Sequence, residues 1–345
     1  MLIIPRIKNQ KKFFNINLAL LRIYLSFIVV NLHCFKNSII KNKYLLLLLK
    51  NYIPVPIFFI MSFYFCYNLF ITKNLEKYKQ RLERLLIPYF TWPIINWILN
   101  NIFNLILKTK LSSTFKDLKI QLLTGHCFMA VLWFQYNLIF ITILFFIIKL
   151  LFKKNFIIFI INLQIMGFFL QFSNINYNYF SQYSYNIKYT FGRFFEVIPY
   201  CVSGYILSFL QINNKLNKFR VKSIYIIFLI IIIVIKYKIF IENNGFSYQG
   251  FKLYIFSICV FFFFSLLQIE KVTNKNINKI IRIISNSTTG VYFLHIPIKN
   301  YLNNYILLIK NRTFSGVILI DLICYFISII GFFIFKNTKI RHLFQ

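Results

Sequence analysis

VLWFQYNLIFITILFFIIKLL, residues 131–151, contains one charged side chain, Lys149. At 1.5 Å per residue a helix of this length rises about 30 Å, the thickness of the hydrocarbon core of a bilayer. Comparable apolar runs recur along the chain. They place spans at 18–36, 53–72, 85–107, 131–151, 156–173, 191–211, 223–241, 251–269, 288–309 and 315–335. The prediction is an all-α polytopic membrane protein, a bundle of about ten transmembrane helices. Composition agrees: 59% of the 345 residues are hydrophobic and 21% aromatic, more apolar surface than a soluble domain can bury.

Short connectors set the orientation, because Lys and Arg accumulate on the cytoplasmic side. With the N-terminus inside, the inner segments hold roughly twice the Lys and Arg of the outer ones, which predicts N-in and C-in. The chain then reads as one integral-membrane domain, 1–345, with a basic cytoplasmic N-terminus at 1–17 and a short cytoplasmic tail at 336–345. The start is basic, but no small-residue cleavage site follows the first apolar run, so a retained first helix is expected. The outer loops near 37–52, 108–130 and 174–190 are too short for a further soluble domain.

The formal charge of +33 lies in connectors between apolar runs, so a nucleic-acid partner is not expected. Six scattered cysteines, with no CxxC spacing, read as small buried hydrophobes. His33, His126, His295 and His342 show no HxxxH or HExxH spacing, so no metal is expected.

Function is sought in the groups that do not belong in lipid. Arg22 and His33 stand in the first span, Arg193 and Glu196 in the sixth, His295 in the ninth and Asp321 in the tenth. Such groups face a bundle interior, pair, or line a water-filled path. Several also have plain structural readings. Arg193 and Glu196, three apart, can neutralise each other; His295 can bond a carbonyl that Pro297 leaves without a donor; Asp321 can hold a Lys or Arg. Arg22 can snorkel to the interface. His33 lies eleven residues beyond Arg22, about 16 Å up the helix and on nearly the same face. Arg81 and Arg84, spaced as RxxR just before the third span, would present neighbouring guanidinium groups suited to phosphate, or would anchor the cytoplasmic end.

Read together, these segments resemble acyltransferase family 3, membrane proteins that transfer acyl groups, often acetyl, to sugars of cell-surface glycans. Arg22 and His33 match the family's R-x10-H pattern, and Arg81 and Arg84 its RxxR. VPIFFIMSFYF resembles its second-helix stretch, LWFQYNLI its "LWFL" helix, and GVYFLHIPI its late "GIYLLH" segment. The chain departs from the pattern at Ala19 and Leu20, where many members have Asp-Gly, and at Phe63, where glycine is usual; these changes bear on close helix packing.

The resemblance implies an enzyme of the inner (cytoplasmic) membrane whose donor is a cytoplasmic acyl-CoA, acetyl-CoA above all, and whose acceptor is a cell-surface glycan or its lipid-linked precursor. Arg22, Arg81 and Arg84 would then hold the nucleotide phosphates, and the pantetheine arm would extend along the first helix to His33. His33 would act as base or carry a transient acyl group, with Glu196 or Asp321 available to orient its ring. The rival reading is a transporter or flippase for a polysaccharide precursor, with the same groups as substrate sites.

Overall fold

The structure, a computed structural model, describes residues 15–34, 54–71, 75–106, 114–125, 132–153, 155–172, 187–212, 275–302 and 314–344, with Met129 and scattered positions between 256 and 267. Among these residues every regular element is helical: α1 Ile16–Cys34, α2 Pro54–Ile71, α3 Leu75–Ile106, α4 Phe115–Thr124, α5 Leu132–Leu151, α6 Phe156–Phe172, α7 Ile187–Ile212, α8 Lys275–Asn286, α9 Thr288–Leu302, α10 Phe314–Ile334 and a closing 3-10 turn, Lys339–Leu343. The predicted span at 223–241 lies outside the described residues, and that at 251–269 falls on them only in part.

Among the described residues two helices, Leu132–Leu151 and Arg193–Ile212, are long and apolar enough to cross a membrane; Ile16–Asn31, Pro54–Tyr67, Phe156–Leu170 and Ile318–Ile334 are apolar but shorter. Their outward faces remain greasy. Phe169 on α6 and Phe326 on α10 are 67% and 66% exposed, an arrangement that water penalises and a lipid phase does not.

Local sequence accounts for the helix ends. Asn15 caps α1, its Oδ1 accepting from the amides of Asn17 and Leu18 at 3.0 and 3.2 Å, and Pro54 opens α2 where its missing N–H costs nothing. Two helices lie where connectors were predicted. Thr114 and Asp117 form a capping box that starts α4, and Gly125, at φ 69°, ends it. α8, inside the predicted inner connector after the eighth span, packs along α1.

α2, α5, α6 and α7 share one core, built on residues such as Phe59, Phe63, Phe145 and Phe156. Within it Gly204 of α7 lies against the Ile60 backbone and has no room for a Cβ. Glycine therefore permits close packing from α7, while Phe63 of α2 fills the core against the Phe145 ring at 4.9 Å. Pro199 interrupts the α7 ladder by depriving the Phe195 carbonyl of its donor; Gly167 of α6 sits against that carbonyl, and Gln164 donates to the Pro199 carbonyl at 3.2 Å. Cys66, Cys201, Cys259 and Cys324 are buried.

A second core joins α9 and α10 to Trp92 of α3 and to the closing turn. α1 lies against α8, α9 and α10, and it is along this seam that the polar groups gather.

Candidate active site

α1 and α9 run parallel. Arg22 donates from Nη2 to Thr289 Oγ1 at 3.0 Å, and eleven residues up α1 the Lys299 ammonium donates to the His33 carbonyl at 2.7 Å. The lysine thus satisfies a carbonyl in the last turn of α1. α10 runs the opposite way and is tied to the middle of α1: the Tyr325 hydroxyl hydrogen-bonds to Ser26 Oγ and donates to the Ile23 carbonyl at 3.3 Å.

These ties fix what lies at each end. At the upper end the imidazoles of His33 and His295 face each other with ring centroids 5.1 Å apart and planes at 37°. His33 is exposed, whereas His295 is fully buried. His295 Nδ1 lies 3.2 Å from the Val291 carbonyl; a carbonyl only accepts, so Nδ1 bears a proton and donates to it. Nε2 is buried without a hydrogen-bond partner among the described residues. The carbonyl that Pro297 would have served belongs to Phe293, so the predicted bond is replaced by an ordinary back-bond one turn down α9.

At the lower end, Arg81 of α3 donates to Ser62 of α2, joining two of the motifs noted in the sequence, and its charge acts on that of Arg22. RxxR lies within α3, not ahead of it. Its two arginines differ in exposure, Arg81 half-buried and Arg84 exposed, and the charge of Arg81 acts on Arg84.

The remaining predicted residues divide. Asp321 is buried on α10, one turn from Tyr325, and both its carboxyl oxygens lack a hydrogen-bond partner among the described residues; no Lys or Arg is seen to meet them. Arg193 and Glu196 form an ion pair at 2.9 Å, and the Arg193 guanidinium lies over the Trp133 ring at 5.4 Å. That pair matches the neutralising reading and braces α7 against α5. Sequence reasoning missed Thr289, Lys299 and Tyr325. Thr289 directly precedes the GVYFLH stretch and Tyr325 follows Asp321 by four, but only the fold shows that either meets α1.

A family model described as an acyltransferase domain, that of acyltransferase family 3, matches residues 15–336. The chain belongs to acyltransferase family 3. No curated protein and no solved structure matches it significantly. Members of acyltransferase family 3 are membrane proteins, in keeping with the greasy outer faces of α6 and α10, and the family's activity is acyl transfer. Every polar residue of the α1, α9 and α10 seam lies inside the matched segment of this family 3 chain.

Proposed function

We propose that this acyltransferase moves an acetyl group from cytoplasmic acetyl-CoA to a sugar hydroxyl of a cell-surface polysaccharide or its lipid-linked precursor, in the inner membrane. One observation carries the reading: α1, α9 and α10 align Arg22, Tyr325 and the His33–His295 pair along a single seam about 16 Å long. The seam has guanidinium groups at one end and an imidazole pair beside Lys299 at the other, and its length suits an extended pantetheine arm. Arg22, Arg81 and Arg84 hold the donor's phosphates.

His33, the exposed member of the pair, takes the proton from the sugar hydroxyl as its oxygen attacks the thioester carbonyl. The carbon–sulfur bond then breaks, and the leaving CoA thiolate recovers the proton from His33. His295, held by the Val291 carbonyl, fixes the ring behind it. Arg193 and Glu196 are structural in this reading, and orientation of His33 passes from the carboxylates to His295.

The test is transfer itself. Protein in lipid nanodiscs, given acetyl-labelled acetyl-CoA and fractionated surface glycans, is expected to place label on sugar hydroxyls, seen as O-acetyl protons by NMR. Donor bound without any label reaching a glycan would put the transporter reading ahead.

The proposal includes one membrane domain over 1–345 with ten spans and both termini in the cytoplasm. It is supported by the Lys and Arg distribution and by the closing turn, which meets the RxxR end of α3 through Lys339 and Glu83 at 3.1 Å. A reporter fused after Gln345 is expected to be active only as a cytoplasmic fusion; periplasmic activity would require an odd number of spans.

A further inference from the structure

Residues 339–343 read from the sequence as a charged tail, yet they fold back as a 3-10 turn against α3 and α10. Trp92 of α3 donates from its indole N–H to the Leu343 carbonyl at 3.2 Å. The Phe344 ring meets Trp92 edge-on at 6.0 Å and stacks on Phe335 at 6.1 Å. Gly290 and Gly331 leave the space that Phe344 occupies. The segment is therefore built into the fold, and it lies beyond residue 336, where the family match ends.

Docking brings more positive charge to a place that already has it. The charges of Arg81 and Arg341 act on Arg84, and those of Arg84, Arg341 and Lys339 act on His342. The carboxylate in the group, Glu83, is engaged by Lys339. Like charges packed together repel and lose hydration. Nevertheless, among the described residues, Arg81 Nε, Arg341 Nε and His342 Nδ1 are buried with no hydrogen-bond partner, while the guanidinium ends of Arg81 and Arg341 donate to Ser62 and to the Lys336 carbonyl. Burial first, then Arg84 and Arg341, holds the His342 imidazole below its ordinary pKa, against the opposing effect of Glu83. An arrangement this costly is relieved by a multiply charged anion, and guanidinium forks match phosphate oxygens.

We propose that the 339–343 turn completes a phosphate site with the RxxR helix, Arg341 and His342 closing on the donor's nucleotide phosphates from the side opposite Arg81 and Arg84. The assignment of the phosphate to the donor rests on the acetyl-CoA reading. The shared chemistry is a phosphate group, which a lipid headgroup also offers.

The experiment uses the full chain in phosphatidylcholine nanodiscs, with CoA and inorganic pyrophosphate as separate probes in calorimetric titrations. Wild type is compared with Arg341→Gln/His342→Gln and with Arg341→Lys, each checked for an unchanged thermal unfolding midpoint. Arg341→Lys keeps the charge without the fork and covers the case in which the double variant fails to fold. Both probes are expected to bind about tenfold or more weakly to the double variant and by an intermediate factor to Arg341→Lys. Tail-dependent pyrophosphate binding without CoA binding would keep the site and sink the acetyl-CoA reading. CoA and pyrophosphate binding equal in all three proteins would overturn the site and leave that reading standing. Absence of binding to wild type would overturn both. Tail-dependent binding of anionic lipid, undisturbed by either probe, would assign the cluster to a headgroup and overturn the proposal.

Discussion

His33→Ala is expected to lower kcat by about 10²- to 10⁴-fold, the usual range for removal of a general acid–base group. The structure makes this a clean substitution. The His33 side chain is exposed and meets the His295 ring, so no core cavity opens. The bond that anchors the top of α1, from Lys299, reaches the His33 backbone carbonyl and survives the change. Insertion should not suffer either, since alanine enters a bilayer more easily than imidazole. Loss should therefore appear in turnover, with CoA binding and expression at wild-type levels. The same variant tests the covalent alternative: if a transient acyl-histidine forms, acid-quenched wild type retains label from acetyl-CoA and His33→Ala does not. Glycan acetylation at near wild-type rate by His33→Ala would remove the central residue of the mechanism and leave the base to be sought elsewhere.

What the sequence disclosed and what it withheld follow from range. Arg22 and His33 were legible as a pair because eleven residues on one helix fix both rise and face. Arg193 and Glu196 were legible for the same local reason. The His33–His295 contact was not, because it depends on α1 and α9 lying parallel in register, which no spacing within either helix encodes. Asp321 shows the opposite limit: its residue type points to a Lys or Arg partner, and among the described residues its carboxyl oxygens have no hydrogen-bond partner. α4 carries a local signature, Thr114 with Asp117 and Gly125, that a reading keyed to the length of apolar runs passes over. The docking of Arg341 and His342 is likewise tertiary; it depends on Trp92, Phe335 and the space left by two glycines on separate helices.

Arg81→Ala/Arg84→Ala is expected to raise the KM for acetyl-CoA by about 10²-fold or more, from the loss of two charge-assisted contacts to phosphate. Phosphate lies far from the reacting carbonyl, so these contacts are equal in ground and transition states and their loss belongs in KM rather than kcat. The arginines differ in one respect that calls for a control. Arg81 also holds Ser62 of α2, so its removal loosens α2 from α3 as well as taking away a charge. Ser62→Ala breaks the same bond and leaves both guanidinium groups in place. A phosphate role for the pair predicts a small effect of Ser62→Ala and a large one of the double variant, steepest at low salt, where exposed Arg84 is least screened. If Ser62→Ala alone reproduces the rise in KM, Arg81 acts by bracing α2. Normal donor binding by the double variant would leave Arg22 as the remaining candidate for the phosphates among the three arginines, and the cationic mouth would be an anchor to the cytoplasmic face.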